Sequence, residues 1–152
     1  MKTLALAVLM LLSLPLHAQQ KGVTVENAWS RATPPGAKLA AGYMVIRNAS
    51  GAPDRLIGGS SPLAARVETH VTMKEGDVMK MRPVKGYEIP ANGSFELAPA
   101  GAHLMFVDIK KPFKDGDKVP ATLRFEKAGE VKVEFEVRTA PPTAAGGHHM
   151  QH

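Results

Sequence analysis

The chain predicts an all-β fold, a Greek-key sandwich or barrel built from many short strands. Three observations predict it. From Val23 onward the apolar residues recur with period two, as where Val131, Val133, Phe135 and Val137 alternate with Lys132, Glu134, Glu136 and Arg138. That is how a strand buries one face and wets the other. Turn signals then separate these runs at near-regular intervals, which suits a sandwich or barrel. Finally, no capped amphipathic helix of useful length interrupts them, and no internal repeat is visible. At 152 residues the sequence suffices for one domain with a sizeable core rather than two.

Taken in order, the strand candidates are Val23 to Trp29, Gly42 to Asn48, Asp54 to Ser60, Ala65 to Thr72, Val78 to Arg82, Ser94 to Leu97 and His103 to Ile109. Leu123 and Phe125 alternate with Arg124 and Glu126 just before Lys127-Ala128-Gly129-Glu130. The last two strands should therefore form a hairpin. Between the candidates stand Pro34-Pro35-Gly36, Ser50-Gly51-Ala52-Pro53-Asp54, Glu75-Gly76-Asp77, Ala91-Asn92-Gly93, Pro99-Ala100-Gly101 and Lys114-Asp115-Gly116-Asp117. Glycine, proline, asparagine and aspartate supply the backbone angles that turns need.

The two ends read differently from the middle. Met1-Lys2 is a short positive start, Thr3 to Leu16 is almost unbroken apolar sequence, and Leu16-His17-Ala18 closes on a small residue. Residues 1–18 are expected to be a secretory signal peptide, too short to span a bilayer. The mature chain would then work outside the cytoplasm, with residues 19–139 as its folded domain and no further membrane span. Residues 140–152 begin with Ala140-Pro141-Pro142-Thr143-Ala144-Ala145-Gly146-Gly147, a linker with no apolar face to bury.

Charge and cysteine usage narrow the chemistry. Loss of Lys2 with the leader takes the formal charge from +5 to +4. Lysines and acids are interspersed without a basic stripe or interleaved aromatics, which argues against nucleic-acid binding. The mild positive charge suits a soluble surface better than a dedicated acidic partner. There is no cysteine, so stability rests on core burial, and any soft-metal site must use thioether or imidazole.

Histidine and methionine are segregated. The stretch from His70 to Met105 holds both histidines of the folded region, with Met73, Met79, Met81 and Met105; outside it that region has only Met44. His103 and Met105 are two apart in a strand, so they share a face opposite Leu104 and Phe106, about 6.5–7 Å apart at Cα. Met79 and Met81 are related in the same way across Lys80, and His70 faces away from Val67, Thr69 and Val71. Single methionines are usually core fillers. The set together, beside both histidines, points to a metal. Imidazole with thioether suits Cu(I), since Zn, Mn and Mg prefer thiolate or oxygen.

At this level of detail the sequence resembles a known family. His70, Met81, His103 and Met105 are spaced as H-x10-M-x21-H-x-M, the signature of the periplasmic copper chaperones that serve the CuA centre of cytochrome c oxidase. Ala28-Trp29-Ser30-Arg31-Ala32-Thr33-Pro34-Pro35-Gly36, Ala41-Gly42-Tyr43, Val78-Met79-Lys80-Met81-Arg82-Pro83 and Gly116-Asp117-Lys118-Val119-Pro120 also look like its blocks. The resemblance implies a cupredoxin-like Greek-key fold that binds Cu(I) through His70, Met81, His103 and Met105 near the surface. It also implies delivery to the oxidase subunit or to a thiol-bearing co-chaperone. It selects Met81 over Met79, which parity alone leaves open. One position departs: where relatives commonly carry methionine or histidine two residues after the first histidine, this chain has Thr72, and Met73 is expected in or near the following turn.

The tail offers His148, His149, Met150 and His152 as a candidate second site, for Cu(II), on a mobile arm that can adapt to tetragonal geometry. A blue-copper electron carrier needs a cysteine thiolate and is excluded. If Gln19 is the mature N-terminus there is no N-terminal histidine brace, and no Ser/His/Asp set or paired carboxylates support hydrolysis. A non-enzymatic, monomeric carrier is the expectation, with copper storage or detoxification as the alternative use of the same site. Donors in loops and strand ends would favour hand-over, because a recipient must reach the metal.

Overall fold

In a computed structural model of the chain, residues 22–142 are described. They form ten strands: β1 (Val23–Arg31), β2 (Leu39–Asn48), β3 (Asp54–Ser60), β4 (Ala64–Glu75), β5 (Val78–Pro83), β6 (Tyr87–Ile89), β7 (Gly93–Leu97), β8 (Ala102–Ile109), β9 (Lys118–Phe125) and β10 (Gly129–Arg138). Among the described residues no helix is long and apolar enough to cross a membrane.

Seven strands close on themselves in the order β4-β8-β2-β1-β10-β9-β3, with β3 pairing back onto β4. The fold is thus a barrel rather than an open sandwich, which leaves the ring without free edges. Three short strands attach outside the ring: β5 on β4, β6 on β3 and β7 on β2. All pairings are antiparallel except β1 with β10. The seam between β3 and β4 rests on one partner pair, Gly59 with Val67. Glycine is required there, because a Cβ on Gly59 would lie 2.6 Å from the Thr122 carbonyl oxygen on β9.

The alternation seen in the sequence is the alternation of burial. In β10 Val131, Phe135 and Val137 point into the core while Lys132 and Glu134 face solvent. The barrel is filled by Phe106, set nearly perpendicular to Phe113 and Phe135 at centroid distances of 5.7 and 5.5 Å. Such edge-to-face pairs satisfy the aromatic quadrupoles while filling space. The expected final hairpin is present, with Phe125 opposite Gly129 across the turn. Buried Asp54 ties its own strand to that turn by accepting the backbone N–H groups of Lys127 and Ala128, both at 2.9 Å.

Among the differences from expectation, three boundaries and one additional strand matter most. β2 begins at Leu39, not Gly42, because Leu39 to Gly42 pair with β8 although Leu39 is exposed and breaks the alternation. β4 runs on to Glu75, so Met73 lies within a strand opposite Lys80 and not in the turn. β9 begins at Lys118 and includes Pro120, which is accommodated beyond the last β3 partner pair, Ser60 with Thr122. β6 was not foreseen, since three residues are too few to show a period. The leader, residues 1–18, lies outside the described residues, as does the tail from residue 143.

Candidate metal centre

Strands β4, β8 and β5 lie side by side, and their register decides what meets. His70 on β4 is directly opposite His103 on β8, and Glu68 opposite Met105. On the other side of β4, Thr72 is opposite Met81 and Lys74 opposite Met79. Directly opposed residues share a face of the sheet. His70, Thr72, Met79, Met81, His103, Met105 and Glu68 therefore occupy one face, the outside of the barrel, with Val67, Thr69, Leu104 and Phe106 on the inside. The structure places the four signature residues on one face: His103 lies against Met81 and beside His70, and Met105 is one pleat further along β8, opposite Glu68. All four stand within strands, however, not in loops and strand ends as expected.

The face is graded in depth. His103 and Met105 are 4% and 5% exposed, whereas Met81 is 54% exposed on the outermost strand. The His103 Nε2 atom is 3.0 Å from the Met81 sulfur. Its Nδ1 is 3.0 Å from the Gly101 carbonyl oxygen, which can only accept, so Nδ1 carries the proton. Burial, the largest influence on this ring, lowers its pKa and favours the neutral form. A neutral ring protonated on Nδ1 turns the bare lone pair of Nε2 toward a sulfur that also has only lone pairs to offer. Two such acceptors facing each other become a favourable pair once a cation accepts electrons from both.

His70 is prepared in the complementary sense. Its Nε2 is 3.0 Å from a Glu68 carboxylate oxygen, to which it donates. The Nδ1 atom is buried without a hydrogen-bond partner. A buried unpaired acceptor is costly, and here it belongs to a ring whose centroid is 5.9 Å from that of His103. The Glu68 carboxyl pKa is lowered, first by the hydrogen bond to His70 and then by Arg66. Among the described residues no three His, Cys, Asp or Glu side chains cluster to hold a metal ion; the donor set is complete only with thioethers. Thr72 stands directly opposite Met81 on this face.

One support comes from a residue that the sequence did not mark. The Tyr87 hydroxyl on β6 is 2.7 Å from the His103 carbonyl oxygen and also within reach of the His70 carbonyl, so one proton is shared between the two backbones. Tyr87 is buried and stacks on Phe95 at 5.1 Å. Burial pushes its pKa up to about 12. Glu68 could have been found by parity, being two residues before His70. Tyr87 could not, because nothing local links it to either histidine. Met73 faces the opposite side of the sheet from the site. The tail residues His148, His149, Met150 and His152 lie outside the described residues. Clefts of about 490 and 470 Å³ exist elsewhere, beside Trp29 and Arg138 and beside Pro62 and Lys132, away from these donors.

A closed β-barrel carrying soft and imidazole donors on three adjacent strands defines the class. The chain belongs to the LpqE-like family ("Putative lipoprotein LpqE-like"), whose model matches residues 23–137. It is 31% identical over 121 residues to "Putative lipoprotein Lxx21020" of Leifsonia xyli subsp. xyli, covering 79% of this chain and 72% of that protein. Among solved structures it is similar to the copper-bound PCuAC domain from PmoF2, with 32% identity, a TM-score of 0.67 and coverage of 78% of this chain and 94% of that domain. It is also similar to the CuI form of DR1885 from Deinococcus radiodurans, with 33% identity, a TM-score of 0.60 and coverage of 82% and 83%. The family read from the H-x10-M-x21-H-x-M spacing is thus borne out, as is the cupredoxin-like fold.

Proposed function

We propose that this protein is a copper chaperone that carries Cu(I) on His70, Met81, His103 and Met105. The single observation that carries this reading is the 3.0 Å approach of the His103 Nε2 lone pair to the Met81 sulfur, with Nδ1 committed to Gly101. The unpaired Nδ1 of His70 beside it supports the same reading, as do the copper-bound PCuAC domain and the CuI form of DR1885. Two imidazoles and two thioethers are neutral donors suited to a soft monovalent ion. The protein binds and hands over copper without transforming a substrate.

Its cargo would pass to a recipient with better-organised or thiolate ligands, such as the CuA site of cytochrome c oxidase or a thiol-bearing co-chaperone. The compartment would be the periplasm, in keeping with the apolar leader and with the lipoprotein names of its relatives. His148, His149, Met150 and His152 would add a second position for Cu(II).

Competition for Cu(I) against bicinchoninate tests the core site. His103→Ala with Met105→Leu, a change that conserves core volume, should weaken Cu(I) binding by on the order of 100-fold or more with an unchanged circular dichroism spectrum. A double variant that competes as well as the wild type would overturn the assignment. In the same titrations, removal of residues 146–152 should leave Cu(I) affinity unchanged and remove one equivalent of Cu(II); unchanged Cu(II) stoichiometry would exclude the tail.

A further inference from the structure

Met79 has no place in the four-donor set, yet it stands on the same face as that set. It is one pleat beyond Met81 on β5, about 7 Å away at Cα, and its register partner Lys74 is on the rung next to Thr72. It is 53% exposed. β5 is the terminal strand of the sheet order, and all six of its residues are exposed. Exposed edge strands are usually protected by charge. β5 does carry Lys80 and Arg82, both paired with Glu75, but these belong to the opposite face. The site face of the same strand bears thioethers at two of its three positions, Met79 and Met81, with Pro83 at the third.

We propose that Met79 is a relay ligand, the first thioether to receive Cu(I) on entry and the last to release it. This inference rests on the reading of His70, Met81, His103 and Met105 as the copper site. Position gives the direction: His103 and Met105 are buried, Met81 is half exposed, and Met79, exposed to the same degree, stands one pleat beyond it toward the β4–β5 turn. Methionine is long and unbranched, so two thioethers a pleat apart can bind one ion together. On release the ion loses its bond to a buried imidazole as a bond to the Met79 sulfur forms. It then leaves Met81 as a donor from the recipient replaces it. Copper stays Cu(I) throughout, and the thioethers neither gain nor lose a proton. Met79 cannot retain the ion by itself, since it offers one neutral sulfur and its register partner is the cationic Lys74. A weak outer stop next to a tight inner site is what stepwise exchange requires.

The test separates rate from affinity. Cu(I)-loaded wild type, Met79→Leu, Met81→Leu and Met73→Leu are mixed with excess bicinchoninate in a stopped-flow instrument, and the equilibrium Kd of each is measured in parallel. Leucine keeps the apolar bulk and removes only the sulfur. Met79→Leu should slow copper release by on the order of tenfold with the Kd essentially unchanged, and Met73→Leu, on the other face, should release at the wild-type rate. A wild-type rate for Met79→Leu would overturn the relay and leave Met79 as apolar surface. So would a loss of affinity equal to that of Met81→Leu, which would make Met79 a resident ligand, or equal slowing by Met73→Leu. If Met81→Leu and the His103→Ala, Met105→Leu double variant also bind Cu(I) like the wild type, the core site itself falls; if only Met79→Leu is silent, the relay falls alone.

Discussion

Tyr87 shows how a residue without any metal-binding chemistry can govern a metal site. Its hydroxyl touches the backbone of both His70 and His103, 17 and 16 positions away in sequence, so it ties together two strands where their imidazoles must converge. Tyr87→Phe keeps the ring and its stacking on Phe95 but removes the shared proton. Loss of such a bond costs about 1–3 kcal/mol when acceptors are left buried. The variant should lose that much stability in urea unfolding and bind Cu(I) more weakly while retaining all four donors; wild-type affinity would show that the strands hold their spacing unaided. At this scale the sequence was legible for donors and opaque for their supports. Imidazole and thioether announce themselves by type and spacing, whereas a tyrosine, a glutamate or the Gly101 carbonyl acts only through its position in the fold.

At the scale of elements, the register of β4 is the decisive quantity. It pairs His70 with His103 on one side and Thr72 with Met81 on the other, and a slip by one residue would turn every donor to the opposite face. Two devices hold it. The inward row of Val67, Thr69 and Val71 is committed to the core, with the Thr69 hydroxyl donating to the Val84 carbonyl oxygen at 2.6 Å. The barrel seam at Gly59 then anchors the start of β4. Gly59→Ala would push a methyl against the β9 backbone, and overpacking of this kind costs about 1–3 kcal/mol. Chemical denaturation should show that loss; a neutral result would mean that β3 shifts freely at the seam. The strands carrying the donors were readable from donor spacing, His103-x-Met105 and Met79-x-Met81, although burial does not alternate along β5 or from His103 to Phe106. Closure of the ring was not, since it depends on which edges meet, and β6 and the first residues of β2, Leu39 to Ala41, were hidden because pairing, not burial pattern, defines them.

For the whole molecule, pH exposes how the fold treats its ionisable groups. His103 is buried and its pKa is lowered, so the unfolded chain takes up that proton at a higher pH than the folded one. Its contribution to the stability of the metal-free protein is complete above the ordinary histidine value of about 6.5 and is lost as pH falls through that value toward the lowered one. Glu68, with its carboxyl pKa lowered by His70 and Arg66, adds a second loss below the ordinary glutamate range, reduced by its exposure to solvent. On the alkaline side the signs reverse. Tyr87 keeps its proton up to about 12, and burial also raises Tyr43, whereas an unfolded tyrosine ionises near 10. Stability is therefore present below about 10 and falls as pH rises beyond it. Urea midpoints of the metal-free protein should form a plateau from about pH 7 to 10 that declines on both flanks. His103→Ala should flatten the first part of the acid flank, and Tyr87→Phe should shorten the alkaline one. A midpoint that rose on acidification from pH 7 to 5 would contradict the neutral, buried state of His103. That state is what leaves its Nε2 free to face Met81, so the same curve tests the premise of the metal centre without any copper in the cuvette.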